Sequence, residues 1–334
     1  MNIQDLLKTN AVLLADGATG TNLFDMGLMS GDAPELWNLH EPEKIRGLHR
    51  GFIEAGSDLI LTNSFGGNRH RLKLHNAQDR VFELNKAAAE LARQEADDAS
   101  RPVIVAGSVG PTGELFVPLG DLTFDAAVES FTEQAEGLKA GGADVLWIET
   151  MSSQEEIEAA ATAAKAVGMD YVFTASFDTA GRTMMGITPE TFTTIGPTEP
   201  QKPIAIGANC GVGASDLMVT ISKMRAVDQD QLIVAKANCG VPVVSGDHVH
   251  YSGTPELMAD YARLAMDAGA QIIGGCCGTT FEHVAAMRAA IDAHVAANAP
   301  TEEDIIARLG PLASPPPDEN TTSRRREGGR RRRG

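Results

Sequence analysis

The residues best equipped for chemistry in this sequence are its four cysteines, Cys210, Cys239, Cys276 and Cys277. Cys276 and Cys277 are vicinal and are flanked by Gly274, Gly275 and Gly278, while Cys210 and Cys239 each sit in an Asn-Cys-Gly triplet. Glycines on both sides relax the backbone enough for two adjacent sulfurs to face one point. Converging thiolates suit a soft metal ion, zinc first. Cys210 with Cys276 and Cys277 would supply three ligands, leaving the fourth tetrahedral position open as catalytic sites do. A metal ringed by three thiolates is a poor Lewis acid for making hydroxide. It is better suited to holding a substrate thiolate that stays nucleophilic, which points to alkyl transfer onto sulfur rather than hydrolysis. Two other readings stay open on these residues alone: small buried apolar side chains, or a vicinal disulfide acting as a redox switch. His248 and His250 form an HxH pair, but between Gly246-Asp247 and Gly253 they read as a loop.

Something must bring residues so far apart in sequence to one place. Nearly continuous apolar runs at 11–16, 58–63, 102–109, 144–149, 171–177, 203–209, 232–238 and 271–276 have the pattern of parallel strands buried on both faces. Helical periodicity fills the intervals. Val128, Phe131, Ala135 and Leu138 share a face in 125–142, as do Ile157, Ala161, Ala164 and Val167 in 153–168. In 254–270, Thr254 is placed to cap, Pro255 occupies the first helical position and Gly269 stops the helix. Eight strand–helix units match a (β/α)8 barrel, with a doubly wound sheet as the alternative. The expected organisation is one barrel domain over 1–312 and a disordered basic tail over 313–334, rich in proline and then arginine.

Barrels of this kind carry their sites at the C-terminal ends of the strands. Asp16, Thr62-Asn63-Ser64, Ser108, Glu149, Asp178, Cys210, Asn238, Cys239 and the Cys276-Cys277 pair all fall there. The formal charge is −17, and removing the +6 of residues 324–334 leaves a body of −23. So acidic a body repels phosphate backbones, which argues against nucleic acid as a partner. No apolar run approaches the roughly 18–20 residues of a membrane span. The N-terminus lacks a signal pattern and four cysteines are too few for a disulfide scaffold, so a cytoplasmic setting is expected.

The motifs DGATGT (16–21), LTNSFGGN (61–68), GSVGPTG (107–113), IET (148–150), NCGVG (209–213) and GGCCGTT (274–280) succeed one another in an order that resembles the zinc-dependent homocysteine S-methyltransferases. The likeness runs from about residue 10 to about residue 295 and is greatest to the bacterial betaine–homocysteine methyltransferases. It implies Zn2+ on Cys210, Cys276 and Cys277. It implies Asp16 and Glu149 at the homocysteine amino group, and Gly17 and Ala18 amides at its carboxylate; their other reading is a tight turn. Thr62, Asn63 and Ser64 would complete the acceptor site. Cys239 stands where the family has a small residue, and a fourth thiolate would close the site, so it is expected not to bind metal.

The same resemblance implies small-molecule substrates, homocysteine and a methyl donor. The family mechanism, in which a metal-held thiolate attacks a methyl group in line, goes with a cationic donor such as glycine betaine. Such a donor should meet aromatic faces. Here the chain departs from the animal betaine enzymes, since Gly66 and Thr150 replace two tyrosines. Trp37, Phe65 and Phe24 are the remaining cage candidates, with Phe177 a weaker one. Alternatives are S-methylmethionine, dimethylsulfoniopropionate or a methyl-corrinoid partner protein, because the chain is expected to lack folate and corrin domains of its own. A non-catalytic zinc-containing binding protein is a further alternative, against which Asp16 and Glu149 count. A homo-oligomer is compatible with all of these.

Overall fold

The computed structural model describes residues 2–196, 202–245 and 248–313. Eight parallel strands form the barrel: β1 (Leu13–Leu14), β2 (Leu59–Leu61), β3 (Ile104–Val109), β4 (Val145–Met151), β5 (Tyr171–Ala175), β6 (Ala205–Cys210), β7 (Leu232–Ala237) and β10 (Ile272–Gly275). They are hydrogen-bonded in the order β1-β10-β7-β6-β5-β4-β3-β2, and a parallel bridge from Ala15 to Leu59 closes β1 onto β2. This is a (β/α)8 TIM barrel, as the eight apolar runs predict. The intervening β8 (Pro242–Ser245) and β9 (His248–Tyr251) make an antiparallel hairpin between β7 and the following helix. His248 and His250 therefore lie on a strand and not on the expected loop. Their position opposite Ser245 and Val243 reflects two short valine-containing runs, PVVS and HVHY, that pair with each other.

The expected helices form over Phe124–Ala140, Gln154–Ala166 and Pro255–Asp267, capped by the side chains of Thr123, Ser153 and Thr254. Each is followed closely by a glycine at positive φ, Gly142, Gly168 and Gly269, a conformation that ends the helix without a side-chain clash. The fifth crossover is reduced to one four-residue helix, Pro189–Phe192, among the described residues. Of the tail expected over 313–334, only Ala313 falls within the described residues; its amide donates to Asp216 Oδ2 at 2.9 Å. No helix among the described residues is long and apolar enough to cross a membrane.

Both faces of the strands are buried, and side chains alternate between them along each strand. Leu13, Ala15, Leu59, Leu61, Ile104, Ala106, Val145, Trp147, Val172, Ala205, Val234 and Ile272 pack into the barrel interior. The residues between them, such as Leu14, Ile60, Val105, Leu146, Ile206 and Ile273, pack outward under the helices. A short N-terminal helix, Ile3–Leu7, drives Ile3 and Leu6 into the interior cluster and seals the lower end. Each such aliphatic burial contributes about 1.5–3 kcal/mol. At the upper end the inward row changes character while keeping its period of two: Ser108, Glu149, Thr174, Asn209 and Lys236 follow the apolar layers and are themselves buried.

The seam between β1 and β2 is short of backbone ladder, and two carboxylates stitch it. Asp58 Oδ2 accepts from the Leu14 amide at 2.9 Å, and Asp16 Oδ2 accepts from the Leu61 amide at 2.7 Å. Arg288 and Arg101 hold Asp58 in turn at 3.1 and 3.3 Å.

Candidate active site

β6, β7 and β10 are neighbours in the sheet, so the turns after β6 and β10 meet across the end of β7. Cys210 pairs with Ala237, and the Cys276 amide donates to the Ala237 carbonyl at 2.7 Å. The sulfurs of Cys210, Cys276 and Cys277 all lie within 4.8 Å of one another, with Cys210 and Cys277 at 3.9 Å. Cys210 adopts φ +61°, which for a residue with a side chain costs of the order of 1–2 kcal/mol. Asn238 clamps the two turns together: its Nδ2 donates to the Gly211 carbonyl at 2.7 Å and its Oδ1 accepts from the Cys277 amide at 3.0 Å. Asn209 braces the other side, donating to Thr150 Oγ1 at 2.7 Å and reaching Cys276 Sγ at 3.9 Å. Cys239 is fully buried outside this trio, its sulfur facing Gly253.

Crowding against Cys210, with burial added, pushes the Cys277 thiol up to about 12. Three such thiols shed their protons together only around a cation. Soft, half-buried and convergent, they fit a thiophilic divalent metal ion. Tyr251, at the end of the unexpected hairpin, lays its ring on Gly278, beside Cys277.

A second cluster is buried beside the first. Lys236 Nζ lies 2.7 Å from Asp16 Oδ1, both side chains being 2% exposed. Burial works against the Lys236 charge, yet Asp16 and Glu149 together hold its ammonium above the ordinary lysine value. Glu149 Oε1 accepts from Ser108 Oγ at 2.5 Å. Burial, reinforced by Asp16, raises Glu149 to about 6 against the pull of Lys236 and Ser108. Lys236 is absent from the residues picked out by sequence. Its signal was a lone charge at an inward position of the apolar run LIVAKA, where only a paired charge survives burial.

The remaining expected contacts divide. A Cβ at Gly17 would meet the Thr279 carbonyl at 2.6 Å and Phe52 at 2.8 Å, so only glycine fits. The Ala18 amide already donates to the Thr279 carbonyl at 3.0 Å. Thr62, Asn63 and Ser64 are buried and bonded within the protein. Ser64 Oγ donates to the Ser108 carbonyl at 2.7 Å, and Thr62 Oγ1 accepts from the Ser108 amide at 3.0 Å and bonds Ser64 Oγ at 2.6 Å. The first and third thus hold Ser108 for Glu149. Asn63 donates to Pro34 O at 2.8 Å and Asn38 Oδ1 at 3.0 Å, fastening the loop after β1.

Of the aromatic candidates, Phe24 and Phe65 are partly open to solvent, whereas the Trp37 ring is already covered by Lys44 Nζ at 4.3 Å. Phe177 is core, packed edge-on to Phe192. Thr150 is occupied with Asn209, and the Gly66 amide donates to the buried Glu35 at 2.6 Å.

The profile of the homocysteine S-methyltransferases matches residues 13–291, a span that takes in all three cysteines, Asp16 and Glu149. The chain belongs to this family. Its fold is similar to that of the homocysteine methyltransferase MmuM of Escherichia coli. The oxidised form shares 27% identity and a TM-score of 0.71 over 86% of this chain and 98% of that one. The metallated form shares 26% identity and a TM-score of 0.70 over 86% and 99%. Methionine synthase of Mycobacterium leprae (strain TN) is 30% identical over 305 residues, 86% of this chain. The chain spans only 25% of the length of that relative. As a homocysteine S-methyltransferase family member, the protein has its Cys210, Cys276 and Cys277 in a group able to hold a metal ion.

Proposed function

We propose that this protein methylates the sulfur of homocysteine, with zinc held by Cys210, Cys276 and Cys277 and with glycine betaine or a related small onium compound as donor. Methionine and dimethylglycine would be the products with betaine. The observation that carries this reading is the juxtaposition of three convergent sulfurs with a buried carboxylate cluster at one barrel mouth. Free thiols, with a pKa of about 8.5, are mostly protonated at neutral pH; zinc on these cysteines supplies the positive charge that keeps the acceptor sulfur ionised.

The chain's own residues bind and orient. On this reading Glu149, fixed by Ser108, accepts the substrate ammonium, and the Gly17 amide receives its carboxylate. Burial of these groups excludes water from the acceptor. An onium donor departs as a neutral amine or sulfide, so no residue is needed as general acid. Positioning is then the main contribution to rate. The catalytic unit is residues 1–312, the setting cytoplasmic, and the arginine-rich tail has no part in turnover.

Purified zinc-loaded protein incubated with homocysteine and glycine betaine should yield methionine and dimethylglycine in equal amounts by mass spectrometry. Cys276→Ser should lose both zinc and methionine formation; retained zinc with full turnover would sink the assignment. One observation favours a second reading of the donor. The match to a quarter of a methionine synthase suits a barrel that receives its methyl group from a separate methyl-corrinoid protein. Activity appearing only when such a partner is added would select that reading, and activity with S-methylmethionine or dimethylsulfoniopropionate alone would select a sulfonium donor.

A further inference from the structure

Two residues with side chains, Thr150 and Cys210, adopt a φ of +61° on either side of the buried Asn209. For a β-branched residue such as Thr150 that conformation is strained, and it persists only where surrounding contacts impose it. The pairing of β4 with β5 shifts register between Ile148 and Met151, a bulge that re-aims the Thr150 amide. That amide donates to Asn209 Oδ1 at 2.8 Å, and Thr174 Oγ1 on β5 donates to the same oxygen at 2.6 Å. With two donors on its oxygen, the carboxamide cannot flip. One proton of Nδ2 goes to Thr150 Oγ1 at 2.7 Å. The other faces Cys276 Sγ at 3.9 Å, the outer reach of an N–H···S contact. The Cys210 and Cys277 sulfurs instead face each other, also at 3.9 Å.

Resting on the reading of this trio as a zinc centre that holds a substrate thiolate, we infer that Asn209 is a positioning residue whose N–H quietens Cys276, so that the methyl group goes to the substrate sulfur and not to the protein. The chemistry requires such a distinction. Around one zinc ion, three cysteine thiolates and the substrate thiolate are four nucleophiles of one kind. Methylation of Cys276 would break the donor's bond to its methyl carbon and form a carbon–sulfur bond on the protein. The donor would leave as a neutral amine, as in the productive step, and a thioether would replace a thiolate ligand. A hydrogen bond from a neutral amide draws on the sulfur lone pairs that attack, without adding charge to the centre. The two threonines set its aim, since an unlocked amide presents its oxygen as readily as its N–H.

The test exposes zinc-loaded full-length protein, without homocysteine, to methyl methanesulfonate and measures methyl groups added at Cys276 and at Cys210 by peptide mass spectrometry. Each event moves a methyl group from the sulfonate oxygen to sulfur and releases methanesulfonate. Cys210 in the same molecule corrects for access to the mouth and for zinc occupancy. Asn209→Asp keeps an oxygen for Thr150 and Thr174 but has no N–H to offer. It should raise the Cys276-to-Cys210 ratio about tenfold over wild type, within what one hydrogen bond to a charged group supplies. Thr174→Val adds no charge and removes one of the two donors that lock the amide, and should raise the ratio about threefold. A rise confined to Asn209→Asp would assign the effect to the new charge and overturn the inference. So would a ratio unchanged in both variants, the result of a merely loosened centre in which all three cysteines react faster together. Wild-type protein that retains no zinc would overturn the zinc reading itself, and this is measured before any methylating agent is added.

Discussion

A carboxyl group that must be charged to bind its ligand, yet is buried, works against the fold that carries it. Glu149 is lifted from 4.5 to about 6 by burial, with Asp16 raising it further and Lys236 and Ser108 opposing, while the Cys276 sulfur stands nearby. Its folded value lies above its unfolded one, so its contribution to stability is greatest below 4.5 and is lost as the pH rises through about 6. Holding the anion at neutral pH therefore costs about 2 kcal/mol. Glu149→Gln should gain up to that amount in urea unfolding of the metal-free protein at pH 7 while losing homocysteine binding. For wild type, kcat/KM for homocysteine should fall about tenfold per unit as the pH drops below about 6. In Glu149→Gln that acid limb should vanish; a limb unchanged in the variant would assign it elsewhere. At this scale the cysteines and Glu149 were legible, because residue type at a strand end is a strong signal. Lys236 was not, because one lysine in an apolar run is easily passed over unless its inward position is counted. The commitments of Ala18 and Asn63 depend on Thr279 and Asn38, distant partners that a sequence does not display.

Among the elements, the seam between β1 and β2 is the joint on which the Asp16 cluster depends. β1 is two residues long and contributes one bridge to β2, so Asp58 replaces backbone pairing with its side chain. Asp58→Ala would leave the Leu14 amide and two guanidinium groups without their acceptor. It should cost about 2–3 kcal/mol in equilibrium urea unfolding. Zinc retention should survive, because the cysteines ride on β6 and β10. A loss of zinc at unchanged stability would contradict this division of labour. All eight strands could be read in advance, since strands buried on both faces spell themselves as apolar runs. The β8–β9 hairpin could not be separated from a loop: its two runs are short, and the HxH pair drew attention to metal chemistry instead. The brevity of the fifth crossover helix is equally invisible, because a polar segment of adequate length accommodates either form.

For the molecule as a whole, the alternation of strand and helix left closure of the barrel open, and the ring of parallel pairings from β1 through β10 to β2 decides it. The large negative charge of the body argued against phosphate-bearing partners, but said nothing of how small ligands come and go. The helix Ile3–Leu7 does. With Ile3 and Leu6 lodged in the interior, the barrel is a vessel with one opening, and everything exchanged with solvent passes over the same rim. On the proposed reading, a donor seated above the three sulfurs would cover the more deeply buried Asp16 and Glu149. Homocysteine would then have to board first and methionine disembark last. Turnover would be a queue rather than a random exchange. An unreactive donor analogue should behave as an uncompetitive inhibitor toward homocysteine in steady-state assays, since it gains a seat only after the amino acid has taken its own. A noncompetitive pattern would mean that the donor also settles in an empty barrel.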